Sequence, residues 1–173
     1  MDKNQLRKYM KIVRQTLNME DLSDKIVKNI QNFSFYQNAK NVMIYYPLKN
    51  EIDLRLLLKD DKNFYLPKII DNNLAVCPYK SGDKLTESEY KTQEPVTESV
   101  SPNIIDFVVV PGVCADYSKN RIGYGKGFYD KFLKQINAFK IFALPECCVI
   151  NNIPTEEFDV ELDFLITENG IIC

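Results

Sequence analysis

The sequence predicts a single three-layer α/β domain over residues 1–173, with a mostly parallel sheet, helices on both faces and one hairpin. Short β-branched runs alternate along the chain with amphipathic helical stretches. The run Phe107–Val110 contains no polar residue and stops at Pro111-Gly112, which is typical of a strand buried on both faces in mid-sheet. A chain of 173 residues, 45% of them hydrophobic, also has the size of one compact domain.

Two amphipathic helices are expected before the first strand. The first spans Lys3–Asn18, and the second spans Leu22–Phe33 with Asp21 or Ser23 as its N-cap. The first helix also carries a basic stripe away from its apolar face, a pattern that by itself is typical of a solvated surface. This stripe consists of Lys3, Arg7, Lys11 and Arg14.

The strands follow from β-branched runs that end at turn residues. Val42–Tyr46 is predicted as the first strand, and Asp53 is expected to cap a short helix in the segment after it. A hairpin is predicted around Asp71-Asn72-Asn73. The polar stretch from Lys80 to Asn103 is expected to lie beside the site without chemistry of its own. The other predicted strands are Phe64–Ile70, Leu74–Tyr79, Lys140–Leu144 and Phe164–Thr167.

Histidine is absent, and this absence narrows the chemistry considerably. It excludes Ser-His-Asp and Cys-His catalysis, histidine-ligated zinc and imidazole acid/base work. Carboxylate, lysine, tyrosine and metal-assisted chemistry remain. Phosphoryl transfer fits this set, because it depends mainly on positioning and on neutralisation of charge.

The remaining composition predicts a cytoplasmic monomer with no nucleic-acid partner and no membrane partner. The net charge of −2 provides no global basic field, so any anion site must be local. No apolar run has the length of a membrane span, and the N-terminal stretch is charged, unlike a signal peptide. The five cysteines show no disulfide or zinc spacing and are expected to be buried free thiols.

The stretch from Asp106 to Leu133 carries the strongest chemical signal. After the apolar strand comes a polar loop, Ala115–Asn120, and then a basic loop with glycines at alternate positions, followed by a helical pattern in which Phe128, Phe132 and Leu133 share one face. Glycines allow backbone N–H groups to approach a polyanion closely. The loop consists of Arg121, Ile122, Gly123, Tyr124, Gly125, Lys126 and Gly127.

Asp130 is an unusual neighbour for a phosphate, since a bare carboxylate repels one. A bridging Mg²⁺ removes this conflict, because it takes oxygen ligands from one or two carboxylates and from phosphates together. On the residues alone, a second interpretation stays open: Asp130 complements the helix dipole, and the glycines only form a tight turn.

The spacing matches neither the Rossmann nor the P-loop fingerprint. It closely resembles the signature of the 5-formyltetrahydrofolate cyclo-ligase family, which reads Pro-Gly, a variable link with an Asp, then Arg-Leu-Gly-Arg-Gly-x-Gly-Tyr-Tyr-Asp. Pro111-Gly112, Asp116 and the run from Arg121 to Asp130 hold these places here. The resemblance extends from Lys3 to Glu168 in the order and spacing of the family.

The resemblance implies a cytoplasmic enzyme of one-carbon metabolism that uses ATP and Mg²⁺. The implied reaction converts the reduced folate 5-formyltetrahydrofolate to 5,10-methenyltetrahydrofolate, with release of ADP and phosphate. An N-formyl oxygen is a poor leaving group, so it is first phosphorylated. The second nitrogen then attacks, the ring closes, and phosphate leaves.

The resemblance also implies roles for individual residues. Arg121 and Lys126 are expected to be catalytic through charge neutralisation, Asp130 and Asp159 to hold Mg²⁺, and Asp163 to be structural. The folate site is expected to comprise Tyr46, Glu51, Tyr124 and Phe128. The expected nucleotide-binding residues are Lys3, Arg7, Arg121, Gly123, Tyr124, Gly125, Lys126, Gly127, Phe128 and Tyr129.

One departure from the family keeps two alternatives open. Tyr124 stands where the family has arginine, and it supplies no charge to a phosphate. A small-molecule kinase on the same scaffold would leave the phosphoryl group on its acceptor and release no free phosphate. A non-catalytic folate- or nucleotide-binding protein would have no need for both Asp130 and Asp159.

Overall fold

The computed structural model describes residues 1–173. In chain order, the α-helices are α1 (Lys3–Gln15), α2 (Met19–Gln31), α3 (Ser34–Asn38) and α4 (Phe128–Leu133). The strands are β1 (Asn41–Met43), β2 (Asn63–Ile70), β3 (Asn73–Pro78), β4 (Leu85–Glu87), β5 (Gln93–Pro95), β6 (Phe107–Val109), β7 (Cys114–Asp116), β8 (Arg121–Ile122), β9 (Phe139–Ala143), β10 (Val149–Ile150), β11 (Phe164–Thr167) and β12 (Gly170–Ile172). Short 3₁₀ helices span Arg55–Lys59, Pro102–Ile104 and Glu146–Cys148.

Seven strands form the central sheet in the order β12-β11-β9-β6-β1-β2-β3. The inner five are parallel, and β3 and β12 add antiparallel edges. A second sheet has the order β10-β7-β8, and β4 and β5 form a separate hairpin. The predicted α/β class with a mostly parallel sheet is confirmed.

The central strand β6 is buried on both faces, as its sequence predicts. Val108 packs into a core shared with α1 and α4, whereas Phe107 and Val109 pack into a second core shared with α2 and α3. Successive side chains of a strand point to opposite faces, so a strand between two helical layers needs an apolar residue at every position. Burying each such side chain stabilises the fold by about 2 kcal/mol.

The start of α2 differs from the prediction. The helix begins at Met19, because the Asn18 side chain accepts a hydrogen bond from the backbone N–H of Asp21 at 3.1 Å. The predicted caps, Asp21 and Ser23, therefore lie inside the first turns. The Ser23 hydroxyl donates to Met19 O and accepts from the backbone N–H of Asp53, which ties α2 to the segment after β1.

The first helix and the first strand both end earlier than predicted. The first helix ends at Gln15. Strand β1 ends at Met43, and after one further bond, from Ile44 N to Tyr65 O, the chain leaves the sheet. This departure carries Tyr46 out of the sheet. The predicted short helix is a 3₁₀ turn. Its N-cap is Leu54 and not Asp53 as predicted, although Asp53 Oδ1 accepts from the backbone N–H of Arg55.

The hairpin between β2 and β3 is confirmed. Asp71 and Asn72 have φ angles of 50° and 59°, which are the positive values that a two-residue turn between right-twisted strands requires. Asp and Asn tolerate this conformation better than other side chains do. The hairpin of β4 and β5 and the edge strand β12 were not predicted, because each of these strands has only three residues and little apolar pattern.

The predicted polar loop at Ala115–Asn120 is only partly a loop. Strand β7 ends at Asp116, which is 1% exposed, and its carboxylate accepts from the backbone N–H groups of Asn120, at 3.0 Å, and Ile153, at 3.2 Å. Buried backbone donors need acceptors, so this aspartate replaces a missing ladder partner. It joins the segment before the glycine loop to the chain that leads toward Asp159.

All five cysteines are free, as predicted, but they are not all buried. Cys77, Cys114 and Cys148 lie in the interior, whereas Cys147 and Cys173 are exposed. None of the helices has the length and apolar character that crossing a membrane requires.

Replacement of Asp116 tests its structural role. We expect Asp116→Ala to lower the free energy of unfolding by about 3 kcal/mol, because buried N–H donors lose their acceptor. Urea titration measures the change. Asp61→Ala, at an exposed position, is the control and should change stability by about 0.5 kcal/mol or less. Equal stabilities for the two variants would show that solvent replaces the carboxylate.

Candidate functional site

A cavity of about 1070 Å³ lies where the parallel strands β1 and β6 end. Tyr45 and Tyr46, which follow β1, and Pro111, which follows β6, line it together with the start of α1 and the glycine loop. Ligands of open parallel sheets bind at this edge. All fourteen residues predicted for the site line the cavity: Lys3, Arg7, Tyr46, Glu51, Arg121, Gly123, Tyr124, Gly125, Lys126, Gly127, Phe128, Tyr129, Asp130 and Asp159.

Arg121 is the buried cation of this cavity. Its side chain is 3% exposed, and its Nη1 donates to Pro111 O at 2.8 Å. Its Nη2 contacts Asp130 Oδ1 at 3.2 Å, which joins strand β8 to helix α4. Burial lowers the pKa of the guanidinium, and the adjacent Asp130 opposes this effect. Arg121 Nε is buried and has no hydrogen-bond partner.

Gly123 has a packing role as well as the predicted backbone role. A Cβ atom at this position would lie 2.6 Å from Arg121 Nη1, so any side chain would displace the guanidinium. Gly125 and Gly127 have φ angles of 92° and 73°, a region that glycine adopts without steric cost. The loop therefore needs its glycines for two different reasons, space and backbone conformation.

The other three basic residues differ in their partners. Arg7 Nε donates to Gly123 O at 2.7 Å, which fastens α1 to the glycine loop. Lys126 is exposed and forms no ion pair, and its Nζ lies 5.6 Å from the centre of the Tyr90 ring. Lys3 is already paired, with Nζ 2.6 Å from Asp159 and 2.5 Å from Glu156. Burial lowers the pKa of Lys3, but the bonds to these carboxylates outweigh it and the pKa is raised.

Each of the two aspartates predicted to hold a metal has one unoccupied oxygen. Asp130 Oδ1 accepts from Arg121 and from Val160 N, and Asp130 Oδ2 receives no hydrogen bond from the protein. Asp159 Oδ2 accepts from Lys3 and Glu156 N, and its Oδ1 is likewise free. No three carboxylate or cysteine groups cluster here, so these two aspartates do not form part of a larger metal-binding cluster.

Glu51 also lines the cavity and is 6% exposed. Its Oε2 accepts from Leu48 N at 2.7 Å, and its Oε1 accepts from the Tyr124 hydroxyl at 2.6 Å. Burial raises the pKa of Glu51, whereas these two hydrogen bonds and the charge of Arg14 lower it. Burial also raises the pKa of Tyr124 far above its usual value, so the phenol remains a neutral donor. Tyr124 thus joins the glycine loop to Glu51.

The aromatic residues line the space between these two ends. The Tyr46 ring packs under Arg55, 5.3 Å from its guanidinium, and the Phe128 ring meets Tyr90 edge-on at 5.3 Å. Phe128 was predicted to share one buried face with Phe132. It is instead half-buried at the cavity wall. The Tyr129 hydroxyl is buried and has no hydrogen-bond partner.

Part of the cavity wall comes from the stretch to which no chemistry was assigned. Residues 89–94 line the cavity, including Tyr90, which packs on the glycine-loop side. Glu94 is buried and accepts from Ile69 N at 3.1 Å, so it fastens this wall to β2. A sequence signal that could have identified this wall is Glu94-Pro95 after the aromatic Tyr90, which resembles a Glu-Pro pair of the cyclo-ligase family.

Comparisons with known proteins agree on one family. The model of the 5-formyltetrahydrofolate cyclo-ligase family matches residues 1–168. The chain is 29% identical over 178 residues to the 5-formyltetrahydrofolate cyclo-ligase of Mycoplasma pneumoniae, covering 97% of this chain and 99% of that protein. It is also 29% identical over 164 residues to the enzyme of the same name from Haemophilus influenzae, covering 87% and 88% of the two chains.

Two solved structures show the same architecture. The NMR structure of Aquifex aeolicus 5,10-methenyltetrahydrofolate synthetase superposes with a TM-score of 0.88 at 34% identity, covering 99% of this chain and 92% of that one. The synthetase of Mycoplasma pneumoniae superposes with a TM-score of 0.79 at 26% identity, covering 97% and 99%. The chain therefore belongs to the 5-formyltetrahydrofolate cyclo-ligase family and is an enzyme of the ligase class.

Proposed function

We propose that this protein catalyses the ATP- and Mg²⁺-dependent cyclisation of 5-formyltetrahydrofolate to 5,10-methenyltetrahydrofolate, with release of ADP and phosphate. The observation that supports this most strongly is a single cavity with two chemically different ends. One end has glycine backbone and cations, which suit phosphates. The other has a buried carboxylate among aromatic rings, which suits a planar ring that carries N–H donors.

At the phosphate end, the four basic residues differ in whether they already have a carboxylate partner. Arg7 and Lys126 have no carboxylate partner and can meet a polyanion directly, whereas the buried Arg121 offers its unpartnered Nε. Lys3 has to share its ammonium between a phosphate and its two carboxylates, Asp159 and Glu156. Its position at the start of α1, beside the glycine loop, is consistent with this exchange.

The two aspartates fit a magnesium ion that is held partly by nucleotide. Mg²⁺ is commonly bound by one or two carboxylates, with phosphate oxygens and water completing six ligands. Asp130 and Asp159 offer one free oxygen each, and both act electrostatically on the same guanidinium, Arg121. When bound between them, the ion would neutralise charge on the transferred phosphoryl group.

At the folate end, Glu51 can accept two N–H donors from a pterin ring, a pairing that is stronger when the acceptor is charged. The Tyr124 hydroxyl donates to Glu51 Oε1 in the structure, so an N–H donor of such a ring competes with it for this oxygen. Tyr46 and Phe128 offer aromatic surface on either side. No general base is required, because phosphorylation of the formyl oxygen converts it into a leaving group and the second nitrogen then attacks.

The direct test is absorbance of the methenyl product with purified protein, 5-formyltetrahydrofolate, Mg²⁺ and ATP, each component being omitted in turn. A signal that needs all of them, with one ADP and one phosphate per ring closed, is expected. A stable phosphorylated product without free phosphate would instead identify a kinase. Folate binding that is indifferent to Mg²⁺ and ATP, with no product, would identify a binding protein.

Asp130→Asn tests the magnesium role. We expect kcat/KM to fall about 10²-fold with little change in melting temperature, because the amide still accepts from Arg121 but loses its charge. Affinity for a non-hydrolysable ATP analogue, measured by calorimetry with and without Mg²⁺, should lose its metal dependence. Asp163→Asn is the matched control: this carboxylate accepts from Lys140 N and lies outside the cavity, so its loss should affect stability alone. Early melting of Asp130→Asn with normal turnover per folded molecule would make Asp130 structural.

Tyr124→Phe tests whether this hydroxyl competes with the substrate for Glu51. We expect the Kd for 5-formyltetrahydrofolate to fall about fivefold at mildly alkaline pH, because no hydrogen bond worth about 1 kcal/mol has to be broken first. Equilibrium fluorescence titration measures the constant. Tyr117→Phe, at an exposed position outside the cavity, should leave it unchanged. Weaker binding by Tyr124→Phe would mean that the hydroxyl contacts the bound folate.

A further inference from the structure

Arg14 is a buried cation that the proposed reaction does not use. It belongs to the basic stripe of α1 that the sequence predicts to be solvated, and Lys11 in the same stripe is exposed. Arg14, in contrast, is only 5% exposed. It does not line the cavity, so it is not a direct ligand of the substrate.

The surroundings of Arg14 leave much of its hydrogen-bonding capacity unused. Its Nη1 donates to Asn50 O at 3.2 Å, the carbonyl that immediately precedes Glu51. Its Nε and Nη2 are buried and have no hydrogen-bond partner. A buried guanidinium is costly unless an anion compensates its charge, so an anion is expected close by.

The neighbouring ionisable groups leave one candidate for this anion. The positive charge of Arg14 acts on Tyr45, Glu51, Cys114, Tyr124 and Cys148. Burial raises the pKa of Cys114 to about 12 and that of Cys148 to about 11, and it raises the pKa values of both tyrosines well above the usual value. Glu51 is the only carboxyl group among them, and it is therefore the candidate for this anion.

We propose that Arg14 is a positioning residue for Glu51, the carboxylate proposed to bind folate: it holds the carbonyl of the preceding residue, Asn50, and places a buried positive charge behind the carboxylate. The role of Glu51 as the folate ligand rests on the proposed function. The effect of Arg14 on the position and the pKa of Glu51 does not. Arg14 sits behind the wall, so its contribution reaches the substrate through Glu51 alone.

The groups that face Glu51 predict the direction of the effect. They are Arg14 from α1, Leu48 N and Tyr45 from the segment after β1, Tyr124 from the glycine loop and Tyr129 from α4. Arg14 is the cation of this set. Burial raises the pKa of Glu51, and Arg14 opposes it, so removing the charge should raise the pKa further. As the solution is acidified, Glu51 should then become protonated, and folate binding be lost, at a higher pH in the variant than in the unmodified protein.

The experiment compares Arg14→Met and Arg14→Gln with the unmodified protein. The carboxyl ¹³C resonance of Glu51 is titrated by NMR without any ligand, and the Kd for 5-formyltetrahydrofolate is measured over the same pH range. We expect the Glu51 midpoint to rise by about one pH unit in both variants, and the acid limit of folate binding to move with it. Arg14→Gln keeps an N–H donor for Asn50 O, so the Glu51 midpoint can still be measured in this variant if Arg14→Met does not fold.

Three controls separate the alternatives. Lys11→Met removes an exposed charge from the same helix and should leave the Glu51 midpoint unchanged. Arg14→Lys keeps a positive charge, so its Glu51 midpoint should lie close to that of the unmodified protein. Glu51→Gln removes the titrating carboxyl group and should abolish the acid limit of folate binding. An unshifted midpoint in either folded neutral variant overturns the proposal and leaves Arg14 a structural residue. If the unmodified protein binds no 5-formyltetrahydrofolate at any pH, the proposed function fails, while the ligand-free titration still decides the pairing.

Discussion

The buried guanidinium of Arg121 is the interaction on which the site depends. It reaches Pro111 O at the end of β6 and the Asp130 carboxylate on α4, and it lies directly beneath Gly123. A charge buried this deeply needs strong hydrogen-bond and ionic partners, so the guanidinium can occupy few other locations. The strand end, the glycine loop and the helix are consequently held in one arrangement. The wall of the cavity is built on this arrangement.

The cavity joins two kinds of recognition through one short loop. Gly123 contacts Arg7 and Arg121, whereas the next residue, Tyr124, reaches across to Glu51. A change of conformation at Tyr124 therefore affects both the phosphate end and the carboxylate end. An arginine in this place, as in the family signature, would bring a charge instead of a neutral phenol. This protein has an aromatic ring and a hydroxyl at this position in place of the cation.

Unmet hydrogen-bonding capacity surrounds the cavity. Arg121 Nε and the Tyr129 hydroxyl are buried without partners at its wall, and Arg14 Nε and Nη2 are buried behind it. Such groups destabilise a folded protein unless a ligand or water meets them. These groups are concentrated around one cavity, where Asp130 is paired with Arg121 and Glu51 is held by Leu48 N and Tyr124.

The sequence by itself determined the fold class and the mid-sheet strand β6, and it predicted a set of residues that all line one cavity. These depend on local signals: the period of apolar residues, the turn at Asp71-Asn72, and the compact glycine signature, which are complete within a few positions of the chain. It did not determine that Tyr124 bonds to Glu51 or that residues 89–94 form a wall, nor that Arg14 is buried while Lys11 is exposed. Those facts arise only when segments distant in sequence pack together, because burial and pairing of a charge depend on which side chains the folded chain brings into contact.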